Sequence, residues 1–414
     1  MSSTKPFPLP VTGIDALSDE TALDDGAVRE AVNVDIDRDG CFSRRAGRRL
    51  IVPGADFHSL WVAKQRGTAL VAQGSKLYKY IPGNTPVALS TLNSADPLAY
   101  TEYNGNIYWT NRQTLQWLPS DSTVARDAGV PTPAVVPRLS PAPGSLYRGK
   151  YGVCLSYVDD RGEEGGATEV QVIELPAGGG IRLEGLETRP GCIVNVYITD
   201  TDGEVLRLAA RFPAVFPSYT VAEVARGSEC ETQYLVPMHP GEYITWLAGR
   251  LYTAVDDVLY FSNALRPHLY DPAHNFVKFS GFISFIEAVS DGLYVGDSRG
   301  VWFLRGTDPT KFEQTLVSTV RAVPRSSIKL PPSVFPDKVV NTQNPVAVWL
   351  GDSGYVIGMD SGVVVELHTS RASLPRGLVG RSAYVFKDGI KQVITPVNSP
   401  ITIGPERAVD SVIQ

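Results

Sequence analysis

Five stretches of this chain follow one pattern, and an internal repeat constrains a fold more tightly than any isolated motif. They are 68–83, 98–120, 244–263, 286–306 and 346–369. In four of them an apolar run meets a polar turn with glycine (Gly74, Gly105, Gly249, Gly292), and Leu-Tyr or Ile-Tyr follows within three residues: Leu77-Tyr78, Ile107-Tyr108, Leu251-Tyr252 and Leu293-Tyr294. The fifth varies the theme with Gly354-Tyr355. In the clearest copies a second short turn (Asn111 to Thr114, Asp256-Asp257, Asp297 to Gly300) leads to another apolar run near Trp117, Tyr260-Phe261 or Trp302-Phe303. Each unit therefore reads as a meander of three short strands. One meander cannot bury its own face, and radial packing of several predicts a β-propeller with blades of about 40–50 residues. The glycine spacings, 43 from Gly249 to Gly292 and 62 from Gly292 to Gly354, leave the blade count open.

The repeats are interrupted. Residues 128–143 carry five prolines (Pro131, Pro133, Pro137, Pro141, Pro143) and read as an extended linker. Residues 144–236 then alternate apolar and polar positions between Asp-Gly and Gly-Gly turns, about seven strands in all, the pattern of a β-sandwich. The expected class is all-β, a propeller interrupted by an inserted fibronectin-III or immunoglobulin-like sandwich. Its parts are an arm and first strand (1–56), propeller blades (57–127), the linker, the sandwich and further blades (237–414). A third proline cluster, 323–336, reads as a long exposed loop, and the best helical stretch, 22–34, spans one or two turns behind Asp24-Asp25.

Composition narrows the function. Lys and Arg total 38 against 44 for Asp and Glu, a net charge of −6, which disfavours a surface built to neutralise many phosphates. The first residues lack the apolar core of a signal peptide, and no segment approaches 18 uninterrupted apolar residues, so a non-secreted protein without a membrane anchor is expected. Cys41, Cys154, Cys192 and Cys230 are widely spaced and read as reduced thiols.

The densest local pattern is 33–49. Asp35, Asp37, Asp39 and Gly40 match the first half of a calcium loop, but its twelfth position, where a bidentate Glu belongs, is Ala46; an Asp-Gly hairpin reads better than a metal site. Arg44, Arg45, Arg48 and Arg49 follow. They fit a phosphate-contacting patch, ion pairs to a neighbouring subunit, or a solvated strand face, the last being the default. Catalytic motifs are absent: there is no H-E-x-x-H, G-x-S-x-G or P-loop, so no enzyme, cofactor or metal is expected. Of the histidines only His268 and His274, with Asp271 between, are close enough in sequence to share a ligand, and an inter-blade loop explains them equally well. Glu163-Glu164 and Asp256-Asp257 read as solvated turn residues. A sialidase-type box is approached at Asp297–Trp302, with one residue too many between Asp297 and Gly300.

Gly26-Ala27-Val28, Ala31-Val32-Asn33-Val34, Gly40 and Arg45-Ala46-Gly47 resemble the opening of tailed-bacteriophage β-propeller proteins that form the tail nozzle or seal the head-to-tail channel. Tyr157-Val158-Asp159, Gly162-Glu163-Glu164-Gly165 and Asn195-Val196-Tyr197-Ile198-Thr199 are similar to fibronectin-III-like domains of phage virion proteins. The resemblance implies a virion structural protein, assembled in the host cytoplasm, present as six copies around the tail axis beneath an adaptor or portal ring and in transient, non-specific contact with DNA. Six copies at −6 each carry −36 together, and an acidic channel lets DNA slide without sticking. Arg44, Arg45, Arg48 and Arg49 would then face the adaptor, a neighbouring subunit or the channel. The alternatives are a glycan-binding or glycan-cleaving tail propeller and an intracellular protein-interaction platform.

Overall fold

The computed structural model describes residues 13–36, 41–44, 50–64, 67–81, 83–367, 378–387, 390–398 and 409–413. It is all-β; the only helical segments among the described residues are three single 3-10 turns at Pro309–Lys311, Pro332–Val334 and Asp360–Gly362. The helical stretch expected within 22–34 is instead turns and a short strand, Ala27–Val28, paired in parallel with Gly13–Ile14. Gly26 at φ 86° and Asn33 at φ 57° sit in the left-handed region, which a continuous right-handed helix excludes.

Five four-stranded antiparallel sheets follow the chain. Sheet 1 runs Phe57–Ala63, Thr68–Gln73, Lys76–Tyr80, Val87–Thr91, and sheet 2 runs Ala99–Tyr103, Asn106–Asn111, Thr114–Leu118, Arg126–Asp127. Sheet 3 comprises Tyr243–Leu247, Arg250–Val255, Val258–Phe261 and Phe276–Lys278. Sheet 4 comprises Phe285–Val289, Gly292–Asp297, Gly300–Arg305 and Glu313–Ser318, and sheet 5 Ile328–Leu330, Val346–Gly351, Gly354–Gly358 and Val364–Glu366. In sheet 6 the central strand, Ile390–Asn398, pairs with Val379–Gly380, Ala383–Lys387 and Val409–Ile413. The expected three-stranded units thus gain a fourth strand.

The glycine-tyrosine motif is not in phase with the sheets. In sheets 2 and 3 it is the first hairpin, where Asn104-Gly105 (φ 49° and 75°) and Ala248-Gly249 (φ 48° and 77°) place two consecutive residues in the left-handed region that a tight two-residue hairpin turn requires. In sheets 1 and 5 the same motif marks the second hairpin, between the second and third strands. The 62-residue interval before Gly354 follows from that shift. Residues 323–336 are also not an exposed loop: Val323 and Leu330 are buried, and Ile328–Leu330 is the first strand of sheet 5.

Each sheet packs on the next in chain order. Leu70 and Leu77 of sheet 1 meet Ile107 and Trp109 of sheet 2; Tyr108 and Trp117 of sheet 2 meet Ile244 and Leu251 of sheet 3. Tyr252 and Leu259 of sheet 3 meet Ile286 and Leu293 of sheet 4. Tyr294 and Phe303 of sheet 4 meet Trp349 and Val356 of sheet 5, and Val348 and Ile357 of sheet 5 meet Tyr384 and Val393 of sheet 6. The motif tyrosines cross these seams. Tyr108 lies 6.0 Å from Trp246, and Tyr252 lies 6.3 Å from Phe312, which follows the third strand of sheet 4. Tyr294 donates from its hydroxyl to Met359 O (2.5 Å) and Val363 O (3.1 Å), and Tyr355 donates to Thr395 Oγ1 (2.8 Å) and Val393 O (3.2 Å). Gly358 is a close-approach glycine: a Cβ there would stand 2.6 Å from the Tyr294 ring.

Between sheets 2 and 3 lie a three-stranded sheet (Arg138–Leu146, Gly179–Glu184, Ser218–Val221) and a four-stranded sheet (Gln171–Leu175, Gly149–Val158, Ile193–Thr199, Leu206–Pro213). One core unites them, with Ile181, Leu183 and Val221 from the first and Leu155, Tyr157, Val196 and Ile198 from the second. Arg138–Leu146 begins inside the proline-rich stretch. Alternation allows this: Pro141 and Pro143 sit in a strand paired along one edge, where a missing N–H is tolerated.

Y294F should leave the buried Met359 carbonyl without its tyrosine donor, while Val363 O keeps the Met359 N–H, and cost about 1–2 kcal/mol in urea unfolding. Y78F, at the motif tyrosine that is only partly buried and whose hydroxyl makes no such inter-sheet bond, should change stability by less than about 0.5 kcal/mol.

Candidate functional site

The first strand of each sheet touches that of the next: sheet 1 to 2, 2 to 3, 3 to 4, and 4 to 5. Their starting ends are tied together. Arg325 donates from its backbone N–H to Ser284 O (3.0 Å), just before sheet 4, and from Nη1 to Pro97 O (3.3 Å), just before sheet 2. Ser382 Oγ donates to Ser326 O, and Arg381 Nη2 donates to Leu98 O, linking sheet 6 to sheets 5 and 2. Gly241 donates from its N–H to the buried Thr110 Oγ1 (2.9 Å), which fixes the entry to sheet 3 against sheet 2.

A charge cluster occupies this convergence. Glu242, directly before sheet 3, accepts from Arg325 Nη2 at 3.2 Å and pairs through its other oxygen with Arg112. Arg112 also reaches Asp256 at 2.7 Å. Arg112 stands at the tip of the second hairpin of sheet 2, whose shape Asn111 sets by accepting from the N–H of Gln113 (3.0 Å) and Thr114 (2.8 Å). The Arg325 guanidinium lies 5.5 Å from the centre of the Tyr243 ring. Arg381 is half-buried beside Arg325, Tyr100 and Tyr243; burial and the neighbouring Arg325 lower its pKa. Burial pushes the Tyr243 hydroxyl up to about 12, with Arg325 pulling the other way.

Further along the same strands lies a second belt. Lys64 donates from its N–H to Glu102 Oε2 (3.0 Å) and from Nζ to Lys329 O (3.2 Å), which links sheet 1 to sheet 5. Lys329 Nζ stands 3.9 Å from Glu287 Oε1. Their side chains keep 35% and 14% of their surface, so water reaches both, yet protein surrounds them closely. Burial raises the Glu287 carboxyl above its usual range and lowers the Lys329 amine, each partner opposing the shift.

The residues singled out from sequence fall elsewhere. Arg44 is exposed on Phe42–Arg44, which pairs with Val34–Ile36. Arg45, Arg48 and Arg49 lie outside the described residues, as do Asp37, Asp39, Gly40 and Ala46 of the acidic turn. His268 and His274 are not brought together on a common ligand: His268 Nε2 meets Glu164 O at 3.1 Å, while His274 Nδ1 pairs with Asp271 at 2.8 Å. Asp297 shapes its own turn by accepting from the N–H of Arg299 (2.7 Å) and Gly300 (3.2 Å). The carboxylate pairs read as solvated turn residues need correction. Asp256 belongs to the charge cluster, Asp257 pairs with Lys278 at 3.4 Å, and Glu164 accepts from Tyr197 at 2.7 Å and from Ser156. Burial raises the Glu163 carboxyl. Among the cluster residues, Arg112 falls in the second turn of the repeat, while Glu242, Arg325 and Arg381 stand outside it; the only signal is that each lies in or beside a turn at a sheet start or hairpin tip.

No protein-family model and no curated protein matches the chain. Among solved structures, Hsv2 of Kluyveromyces lactis is 7% identical, with 82% of this chain and 89% of that one covered, at a TM-score of 0.28. Sqt1 of Saccharomyces cerevisiae is 10% identical over 72% of this chain and 92% of its own, at 0.21. The computationally designed Ika8 protein is 9% identical over 82% and 92%, at 0.25. Hsv2 and Sqt1 are β-propeller-like. Superpositions this loose transfer no function.

E287Q keeps the position neutral at every pH, so at pH 7, where burial makes the natural carboxylate unfavourable, it should be no less stable than the natural chain. The sign with pH follows from the raised carboxyl. Its contribution is full below the unfolded value near 4.3 and is lost as pH rises through the folded value. Urea titrations from pH 4 to 7 should show that loss in the natural chain and not in E287Q.

Proposed function

We propose that this chain is a structural protein of a phage tail: a β-propeller interrupted by a sandwich domain, assembled as a ring of six copies that retains and conducts DNA without catalysing a reaction. The observation that carries this reading is the serial packing of meander sheets around converged first strands, with the seven-stranded unit in contact with both sheet 2 and sheet 3. Arg126 grips Asp160 through both guanidinium nitrogens (2.5 and 2.9 Å), and Arg161 reaches Asp121 at 3.2 Å while lying 5.5 Å from the Trp117 ring centre. On the side of sheet 3, Arg266 pairs with Glu231 and His268 Nε2 meets Glu164 O at 3.1 Å. A part that must transmit load between neighbours needs such seams on both sides, and the resemblance of 26–47 and 157–199 to phage tail and virion modules fits the same role.

Self-association has a surface to use. Leu60 and Val62, 64% and 58% exposed, alternate with Trp61 and Ala63, which face sheet 2, so they lie on the opposite face of sheet 1. Adaptor or portal-type partners and the assignment of Arg44, Arg45, Arg48 and Arg49 to subunit or channel contacts belong to the same proposal, as does residence in the virion tail.

A second reading, a glycan-binding propeller, draws on a cavity of about 450 Å³ beside Lys150, Asp202, Glu204, Gln233 and Tyr234. Tyr234 is 72% exposed at φ 64°, an aromatic platform held in a strained backbone.

Electron microscopy of the purified chain should show closed rings, and L60D/V62D should shift them to monomers. Rings that persist unchanged in that variant would remove sheet 1 from the interface. A chain that stays monomeric at every concentration and retains polysaccharide on an affinity column, with retention lost in Y234A, would favour the glycan reading.

A further inference from the structure

The cluster where the sheets begin is electrically unfinished. It contains three guanidinium groups (Arg112, Arg325, Arg381) and two carboxylates (Glu242, Asp256). Both carboxylates are already engaged: Asp256 with Arg112, and Glu242 with Arg112 and Arg325 at once. Arg381 has no carboxylate partner among the described residues. The one hydrogen bond of its side chain among the described residues is to the Leu98 carbonyl, and its charged neighbour is a like charge, Arg325. A desolvated cation beside another cation is costly unless a counter-charge arrives. The second belt does not supply it: Glu287 there faces Lys329 at 3.9 Å, and Glu102 Oε2 accepts from the Lys64 backbone N–H.

We propose that Arg381 and Arg325, together with the more exposed Arg112, form a binding site for a phosphate-type oxyanion at the end of the protein where the first strands begin. The geometry suits that chemistry. Guanidinium donors offer paired N–H groups that match the spacing of phosphate oxygens. Arg112 keeps 47% of its side chain exposed, against 14% for Arg325, and Arg381 is half-buried. Glu242 competes with the anion for two of the three guanidinium groups, so it sets the affinity. The site stands independently of the tail reading, because it rests on the charge count alone. The same chemistry is offered by free phosphate and by a phosphate carried on a nucleotide.

Calorimetric titration of the full chain with inorganic phosphate, ionic strength held constant with chloride, tests this, with adenosine monophosphate as a parallel ligand. Saturable binding of phosphate is expected, weakened about tenfold or more in R381Q, the loss of one charge-assisted contact. E242Q should act in the opposite direction and tighten binding, because it releases Arg112 and Arg325; a purely structural role for Glu242 predicts no such gain. Adenosine monophosphate binding as tightly as phosphate would identify a carried phosphate as the ligand, and its exclusion would identify the free ion. No saturable binding of either ligand by the natural chain overturns the proposal. Unaltered affinity in R381Q would do the same. Should R381Q fail to fold, R112Q, at the half-exposed group, must weaken binding severalfold for the proposal to stand.

Discussion

A buried tyrosine at a sheet seam has to place a large apolar ring and a hydroxyl together in the same dry interface, and here that requirement joins one sheet to the next. Tyr294 packs its ring with Phe303 and Trp349 and gives its hydroxyl proton to carbonyls that close sheet 5. Tyr355 repeats the arrangement one sheet later toward Thr395. Ring burial supplies most of the adhesion, while the hydroxyl fixes the register, since a slip by one residue would strand both donor and acceptor in the core. Gly358 leaves the space that the Tyr294 ring fills. Where the motif tyrosine lacks such a partner, as at the partly buried Tyr78, the seam rests on Leu70, Leu77 and Trp109 and on the stacked Trp61 and Tyr100, whose hydroxyl donates to Ser59 O (2.8 Å).

The serial seams draw the first strands of the sheets together, and the polar groups at their starts must then satisfy one another. This is why Arg325 alone touches the approaches to sheets 2, 3 and 4. A guanidinium suits the position because it donates in several directions at once within one plane. It also concentrates positive charge in a protein of net charge −6, so the overall acidity is a property of the outer surface and not of this convergence.

Strand content and turns were legible because they depend on neighbours in sequence. Asn104-Gly105 specifies a tight reversal wherever it occurs, and Ile107-Tyr108 after it specifies a strand buried on both faces. Phase was harder. The motif records a hairpin followed by a buried strand, a local event that serves equally as the first turn of sheet 3 or the second of sheet 5. Proline misled twice for one reason: at 138–146 and 323–336 the chain needs few N–H donors, which suits edge or first strands as well as it suits a loop.

The sequence by itself determined the all-β class, the hairpins and the presence of a second strand-rich unit between two groups of repeats, since periodicity and turn chemistry are written in adjacent residues. Only the tertiary structure decided that Arg112, Glu242, Asp256, Arg325 and Arg381 meet. They come from four sheets and from positions up to 269 residues apart, and nothing local marks them, because an arginine beside a turn reads as solvated until the fold sets other charges around it.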